Sequence, residues 1–181
     1  MYRILQINTC LHIGGTGMVA ESCGREVIKE GWDSYIAYSR NYISQTPPSA
    51  SKIIKIGNDA DVYLHAVQTR LFDTHGLCSK SSTKKFIENI EKLSPDIVHL
   101  HNLHGYYLNY PLLFSYLKEK SIPVVWTLHD CWSFTGHCTH FESVGCEKWK
   151  SGCGNCPRKK DYPSSMFLDN SKNNYLKKIQ A

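Results

Sequence analysis

Short apolar runs alternate with segments of helical periodicity along the first 128 residues. The apolar runs have the length of buried strands, and the segments between them space their apolar side chains for one face of a helix. This alternation is typical of an α/β fold, so we predict a Rossmann-like parallel sheet with helices on both faces, followed by a cysteine-rich loop segment. The predicted strands are 3–8, 32–38, 52–56, 96–100 and 122–128, and the predicted helices are 18–30, 59–72, 83–93 and 111–120.

Three of these predictions are specific enough to be tested residue by residue. The run Pro123–Trp126 is continuously apolar and is predicted to be a buried strand. In the helix 59–72, Val62, Ala66 and Leu71 lie near one face and are predicted to be buried. Residues 45–51, with two consecutive prolines, are predicted to form a loop.

Three groups of chemically active residues come directly after predicted strands. They are Gly14, Gly15 and Gly17 after the first strand, His101, Asn102, His104 and Tyr106 after the fourth, and His129 and Asp130 after the last. In open parallel sheets, ligands bind outside the carboxyl ends of the strands. A single histidine is more often structural than functional, but three such groups at one edge of the sheet favour a functional site.

The glycines precede a helix that we predict to begin at Met18. Free backbone N–H groups and the helix dipole favour an anion at such a position, and glycine lets it approach closely. The spacing is not G-x-G-x-x-G and no Walker lysine follows, so the pattern supports neither a standard dinucleotide site nor a P-loop. A tight turn without a ligand explains the glycines equally well.

Five of the eight cysteines fall between positions 131 and 156. Four of them have the spacing C-x7-C-x6-C-x2-C and are the predicted ligands of a structural zinc ion: Cys138, Cys146, Cys153 and Cys156. Four thiolates complete a tetrahedral site and leave no open position, so we expect no catalytic metal. His137 and His140 flank Cys138 and offer alternative ligands. Reduced thiols, disulfides, an iron–sulfur cluster and a redox C-x-x-C pair are further interpretations.

Length and charge narrow the class of protein. A chain of 181 residues holds one domain with a substantial core, and a hydrophobic content of 41% is ordinary for a globular protein. The N-terminus has no signal-peptide layout, so we expect a cytoplasmic protein with reduced thiols, working at most at the inner face of the membrane.

The formal charge of +5 is concentrated after the cysteines, since residues 140–181 hold eight Lys or Arg against four Asp or Glu. A basic surface attracts phosphates, anionic lipid or nucleic acid, although a solvated surface without a partner is the commoner case. Because the aromatic residues are not interleaved with the basic ones, nucleic acid is disfavoured as a partner.

Three stretches carry a resemblance to a known family. They are the glycine loop, the strand end Asp96–Asn102, and the run Val125–Cys138 continued by Cys153–Pro157. Together they resemble the N-terminal domain of family 4 glycosyltransferases, which have the GT-B architecture of two Rossmann-like domains, and in particular a bacterial subgroup of the colanic-acid type that builds surface polysaccharides.

The resemblance implies a retaining transfer of a sugar from a nucleotide-sugar donor to a glycan or lipid-linked acceptor. It implies that His129 contacts the transferred sugar as the catalytic residue, and that Gly14, Gly15, Gly17 and Asp130 bind the donor's phosphates and sugar. The side chains assigned to the acceptor are His101, Asn102, His104 and Tyr106. Catalysis of this kind is largely electrostatic help to the departing phosphate.

The resemblance also implies a division of the chain. We predict an acceptor-side Rossmann-like domain over 1–135, a zinc-binding insertion over 136–160, and the start of a connection to a C-terminal donor domain over 161–181. Since the donor domain has no counterpart in these residues, we expect no sugar transfer by them alone. The competing hypothesis is a metal-stapled binding module whose basic tail holds nucleic acid or a protein partner.

Overall fold

The computed structural model describes residues 1–12, 14–40 and 48–181. Its centre is a sheet of five parallel strands in the order β3-β2-β1-β4-β5. The strands are β1 Arg3–Ile7, β2 Asp33–Tyr38, β3 Lys52–Lys55, β4 Ile97–Leu100 and β5 Val124–Trp126. The predicted parallel α/β architecture is therefore confirmed.

In the described part of the chain, five α-helices and two short 3-10 turns accompany the sheet. They are α1 Gly14–Lys29, α2 Asp59–Phe72, α3 Lys80–Leu93, α4 Tyr110–Glu119 and α5 Ser171–Gln180, with the 3-10 turns at Glu142–Val144 and Lys148–Lys150. Helix α1 begins four residues earlier than predicted, so the glycines form its first turn rather than a loop before it. Of the loop predicted over 45–51, residues 45–47 lie outside the described part of the chain.

Helices cover both faces of the sheet, as the alternation of side chains in β2 demonstrates. Ala37 belongs to the larger apolar core, which α3 and α4 supply with Phe86 and Leu113. Its neighbour Ile36 points the other way and packs with Ala20 of α1 in a second, smaller cluster. Successive strand residues face opposite sides of a sheet, so α1 lies on one face and α3 and α4 lie on the other.

The prediction that Pro123–Trp126 forms a buried strand is wrong. Strand β5 is the last strand of the sheet, and Val124 and Val125 are 45% and 47% exposed. An apolar run of this length does not reveal whether a strand lies at the centre or the edge of a sheet, because that depends on the strand order. Its carboxyl end nevertheless lies beside β4, where the site was predicted.

The buried face of α2 is also different from the predicted one. Ala66 is buried, but its buried companions are His65 and Thr69, and Leu71 is exposed. The imidazole of His65 replaces an apolar contact by hydrogen bonds, since its Nε2 accepts the Gly76 backbone N–H at 3.1 Å. A polar residue with its hydrogen bonds satisfied is buried at little cost.

Helix α5 packs against the sheet domain through polar contacts. Asn174 Nδ2 donates to the carbonyl of Asp73 at 2.7 Å, and Lys178 Nζ donates to the carbonyls of Trp132 and Thr135 at 2.5 and 2.9 Å. The ammonium of Lys178 also lies 3.6 Å from the centre of the Trp132 ring. Within the described residues, none of the helices has both the length and the apolar character needed to cross a membrane.

Candidate functional site

The strand order places a crevice between β1 and β4. From β1 the chain continues outward on one side to β2 and β3, and from β4 it continues on the other side to β5. Ligands of open α/β sheets bind at the carboxyl ends of the strands where the order reverses in this way. The residues that follow β1, β4 and β5 here include Asn8, His101 and Thr127, which lie side by side because the backbone N–H groups of His101 and Thr127 bond to the neighbouring strands.

His101 and His129 are joined directly. His101 Nδ1 and His129 Nε2 are 3.0 Å apart, and the two rings stack with their centres 5.3 Å apart. The other ring nitrogen of His101 lies 3.2 Å from Oε1 of Gln6, a buried residue of β1. Gln6 in turn donates to the carbonyl of Ala20 in α1 at 2.8 Å.

Asn8 ties the first turn of α1 to the end of β4. Its Nδ2 lies 3.3 Å from Oγ1 of Thr16, and its Oδ1 accepts the backbone N–H of Asn102 at 3.3 Å. The carbonyl of Asn102 accepts hydrogen bonds from the hydroxyls of Thr9 and Tyr107 at 3.0 and 2.8 Å. The structure therefore brings one part of each predicted group to a common edge of the sheet, namely the first turn of α1, His101 with Asn102, and His129.

The three glycines differ in their surroundings. Gly14 and Gly15 are exposed, whereas Gly17 is buried against the preceding loop. A Cβ on Gly17 would lie 3.1 Å from the backbone nitrogen of His12, whereas a Cβ on Gly15 would meet no atom of the described residues within 4 Å. Gly17 thus has a packing reason to be glycine, and Gly15 has none within the domain.

His104, Asp130 and Tyr106 lie behind the edge rather than on it. His104 Nε2 is 2.6 Å from Asp130 Oδ2, and both side chains are largely buried. Tyr106 is buried, and its ring packs on Tyr162. The polar atoms of His104 and Asp130 are thus taken by each other, by Tyr162 and by the backbone N–H of Trp132. The acceptor-binding role of His104 and Tyr106 and the donor-binding role of Asp130 stay predictions.

Burial keeps the histidines at this edge neutral. Burial lowers the pKa of His101 to about 3, with smaller contributions from His99 and His129. Burial also lowers the pKa of His129, against the opposing effect of Asp130, and lowers that of His99. The pKa of Asp130 is raised by burial but falls overall, because the hydrogen bond from His104 favours the carboxylate. The edge therefore presents neutral imidazoles at neutral pH, and the carboxylate of Asp130 lies behind them.

The four cysteines predicted to bind zinc line a single cavity of about 20 Å³, together with His137 and Trp149. A space of that size suits one small occupant. The Gly136 backbone N–H donates to Cys153 Sγ at 3.2 Å. The hydrogen bond from Cys156 lowers the pKa of Cys138 to about 6, so this pair already favours one thiolate. All of these cysteines are free thiols in the described part of the chain.

Two other groups of potential ligand atoms lie within 4.8 Å of one another among the described residues. One is Asp73, His75 and His137, which are buried, and the other is Cys131, His140 and Glu142 at the surface. The four cysteines are not among these groups, so their sulfurs would have to move closer together around an ion. In the buried group, Asp73 Oδ1 is 2.6 Å from His137 Nδ1. The Trp132 indole N–H donates to His75 Nδ1 at 2.5 Å, and Asn174 of α5 places its Nδ2 3.4 Å from His75 Nε2, so the group is hydrogen-bonded to the core and to α5.

Comparison with known proteins identifies the fold family. Residues 13–158 match the family described as Glycosyltransferase Family 4. The chain belongs to glycosyltransferase family 4. The resemblance carried by the glycine loop and the two strand-end motifs is thereby confirmed.

Individual relatives of this family 4 domain agree with the assignment. The chain is 29% identical over 169 residues to the "Putative colanic acid biosynthesis glycosyl transferase WcaC" of Escherichia coli strain K12, which covers 89% of the chain and 41% of that protein. The family 4 domain thus spans about two fifths of the length of this curated relative.

Two solved structures of the glycosyltransferase SsfS6 from Streptomyces sp. SF2575 are also similar. The complex with thymidine diphosphate is 18% identical, with a TM-score of 0.45, and the alignment covers 72% of this chain and 40% of that one. The other structure is 15% identical, with a TM-score of 0.46, and the alignment covers 72% of this chain and 41% of that one.

Several residues that build the site of this family 4 domain were not predicted from the sequence. Gln6 and Asn8 had a signal, because they are polar residues at alternate positions in and after an apolar strand. Tyr162 and Asp73 had none, since they reach His104 and His137 from positions 58 and 64 residues away in the chain. Contacts of that range depend on the fold of the cysteine segment and not on a local pattern.

Proposed function

We propose that this chain is the acceptor-side half of a retaining glycosyltransferase that moves a sugar from a nucleotide-sugar to a glycan or lipid-linked acceptor. The observation that carries the proposal is the meeting of α1, His101 and His129 at the strand-order reversal of a family 4 domain. That edge offers the N-terminus of α1, neutral imidazoles and buried polar support. These groups suit a phosphorylated sugar better than a purely apolar ligand.

The first turn of α1 is proposed to face the donor's phosphates. Gly14 and Gly15 are exposed there, and the dipole of a helix of 16 residues favours negative charge at this end. Acceleration then comes from stabilising the charge that develops on the departing phosphate, a contribution made by preorganised donors and not by a strong base. The remaining contacts to the nucleotide belong, in this proposal, to a second domain outside the 181 residues.

His129 is the residue whose removal tests the proposal most directly. In the full-length enzyme, His129→Ala should lower turnover by about 10² or more, the scale of a lost transition-state contact. The assay follows the release of nucleoside diphosphate from a panel of UDP-, GDP- and TDP-hexoses in the presence of a membrane or glycan extract. His140→Ala is the matched control, because His140 is an exposed histidine outside the edge cluster. An unchanged rate for His129→Ala would assign this residue to the fold alone.

The 181 residues by themselves are proposed to be inactive. Sugar transfer needs donor contacts that the described residues do not supply. Transfer above the level of a mock purification, given by these residues alone and abolished by His129→Ala, would overturn this part of the proposal.

We also propose that Cys138, Cys146, Cys153 and Cys156 bind one structural zinc ion. Their common cavity and the depressed pKa of Cys138 support it, since zinc binds thiolates. The ion would stabilise a segment with few apolar side chains, as small metal-bound segments require. Metal analysis of protein purified without added zinc should find about one equivalent per chain, with sulfur at about 2.3 Å by X-ray absorption. Metal-free protein of full stability would contradict the proposal.

A further inference from the structure

The hydrogen bonds behind His129 form a chain that ends on a backbone carbonyl. In order, the pairs are Ala20 O with Gln6 Nε2 at 2.8 Å, Gln6 Oε1 with His101 Nε2 at 3.2 Å, and His101 Nδ1 with His129 Nε2 at 3.0 Å. Proton positions on imidazole rings follow from the partners that each nitrogen meets. The carbonyl of Ala20, at one end of this series of hydrogen bonds, therefore determines the proton positions on His129 at the other end.

The carbonyl of Ala20 determines which atom of each hydrogen-bonded pair is the donor. A carbonyl oxygen only accepts, so Gln6 must offer it the NH₂ group. The reversed amide would place two oxygens 2.8 Å apart without a proton between them. Gln6 Oε1 consequently faces His101 and, being an acceptor itself, requires the proton on His101 Nε2.

Because His101 is neutral, its proton on Nε2 also determines the proton position on His129. His101 is 1% exposed, and burial lowers its pKa to about 3, so the ring bears one proton at neutral pH. That proton is on Nε2, which leaves a lone pair on Nδ1. The bond to His129 then needs a proton on His129 Nε2, and the neutral His129 ring has none left for Nδ1. Within residues 1–12, 14–40 and 48–181, His129 Nδ1 has no hydrogen-bond partner.

We infer that Gln6 and His101 are positioning residues that hold His129 in its Nε2–H tautomer, so that Nδ1 presents a lone pair to the ligand. The ligand group that meets this atom must be a hydrogen-bond donor. In a nucleotide-sugar the hydroxyls and the N–H groups of the base are donors, whereas phosphate and carbonyl oxygens are acceptors and would be repelled. Because the proposed function places His129 at the transferred sugar, the donor that it meets there is a sugar hydroxyl. The identification of the ligand as a sugar rests on the proposed function, but the tautomer does not.

A site whose hydrogen-bond acceptor is fixed discriminates between ligands more strongly than a site whose polar group can change between donor and acceptor. A pocket built to hydrogen-bond a hydroxyl discriminates strongly against the analogue that lacks it, because the pocket's polar atom is then left unpaired. Here the polar atom cannot adapt by exchanging its proton between nitrogens, since the other nitrogen is engaged by His101. The chain from Ala20 to His129 thus makes one hydroxyl of the sugar a requirement for productive binding.

The tautomer is measured directly on the 181-residue chain. Long-range ¹H–¹⁵N correlation spectra at pH 7.5 show which ring nitrogen of each histidine carries the proton. We expect His129 and His101 to be Nε2–H without a second form. A mixture of the two tautomers at His129, or a proton on Nδ1, would overturn the inference.

The role of Gln6 is tested by Gln6→Met, which fills a similar space but offers no acceptor to His101. Both His101 and His129 should then populate both tautomers, while the signals of the distant buried His65 stay unchanged and report an intact fold. A His129 that keeps a single tautomer in this variant would show that Gln6 does not set it.

The lone pair on Nδ1 is tested in the full-length enzyme with three substitutions. Asparagine carries its oxygen two bonds from Cβ, as Nδ1 is, whereas glutamine carries it three bonds away, as Nε2 is. We expect His129→Asn to retain on the order of tenfold more turnover than His129→Gln and His129→Ala, the worth of about one hydrogen bond. Equal losses in all three, with the tautomer confirmed, would overturn the acceptor role. Equal and undiminished rates would instead overturn the proposed function and leave the tautomer standing.

Discussion

Gly15 is a residue whose substitution should reduce activity without reducing the stability of the domain. A methyl group there meets nothing within 4 Å among residues 1–12, 14–40 and 48–181, and alanine is favoured over glycine inside a helix by about 0.5–1 kcal/mol. Gly15→Ala should therefore unfold no earlier in urea than the parent chain. In the full-length enzyme we expect it to reduce turnover by about tenfold or more, because a Cβ at this position obstructs the approach of a phosphate, a loss of about 1.4 kcal/mol in the transition state.

Gly17→Ala is the comparison for that experiment. Its Cβ would lie 3.1 Å from the His12 nitrogen and 3.3 Å from the Cys10 carbonyl, so it should lower the stability of the domain as well as its activity. A Gly15→Ala enzyme of full activity would place the donor's phosphates away from the first turn of α1.

The buried histidines make stability depend on pH. The pKa of His65 is lowered to about 4 and that of His101 to about 3, in both cases mainly by burial. An unfolded histidine has a pKa of about 6.5, so below that pH the unfolded chain binds protons that the folded chain does not. The free energy of unfolding should fall between pH 6 and 5 by up to about 1.4 kcal/mol per pH unit for each of the two.

Urea unfolding at pH 7, 6 and 5 measures this dependence. His65→Gln is the control, because glutamine can still accept the Gly76 N–H and does not titrate. The variant should show a shallower fall than the parent chain. Identical slopes would mean that His65 takes up its proton in the folded state.

Individual side chains were predictable from the sequence only where position along a strand decides their place. His101 and His129 follow strands and were correctly expected to lie near one another. The sequence offered no sign that His104 and Asp130 would engage each other, because a 2.6 Å contact across 26 residues depends on how two loops fold. The same is true of Gln6, whose neighbours in β1 indicate a strand but not a partner.

At the scale of elements, α3 contributes buried apolar side chains to the larger core. Phe86 and Ile90 lie four residues apart on one face of this helix and are buried in the larger core. Phe86→Ala should lower the free energy of unfolding by about 3–5 kcal/mol, since it removes a buried ring and leaves a cavity. Leu64→Ala on the exposed side of α2 should change it by less than about 0.5 kcal/mol. Chemical denaturation of both variants decides whether α3 is integral to the core.

The predicted and observed elements differ for identifiable reasons. The periodicity of apolar residues predicted that the strands and the four helices between them exist, and it predicted their order along the sequence. The start of α1 was misplaced because three glycines within four positions are typical of a loop, whereas contacts of Thr16 and Gly17 with the β1 end hold this stretch in the helix. The exposure of β5 was missed because strand order is a property of the whole sheet.

At the scale of the molecule, the cysteine segment and α5 pack on the sheet domain as an addition to its core. If zinc is bound there, removing it with a chelator should lower the protection of amide hydrogens in residues 136–160 and release α5. The strands should keep their protection, because their core lies before the segment in the chain and has its own apolar contacts. Hydrogen exchange with and without the chelator, with Cys23→Ser as a matched control and Cys153→Ser as the site variant, measures the effect. Equal loss of protection in the strands would mean that the sheet and the segment unfold together.

The two edge strands of the sheet, β3 and β5, differ in their charged residues. Among the described residues, the outer rim at β3 has the sequence Lys-Ile-Ile-Lys, and charged residues on an edge strand are a common natural defence against pairing between sheets. The rim at β5 carries Val124 and Val125, nearly half exposed and with no charge between Pro123 and Thr127. An incoming strand, from a longer polypeptide or from another molecule, would therefore meet two lysines at β3 and no charged side chain at β5.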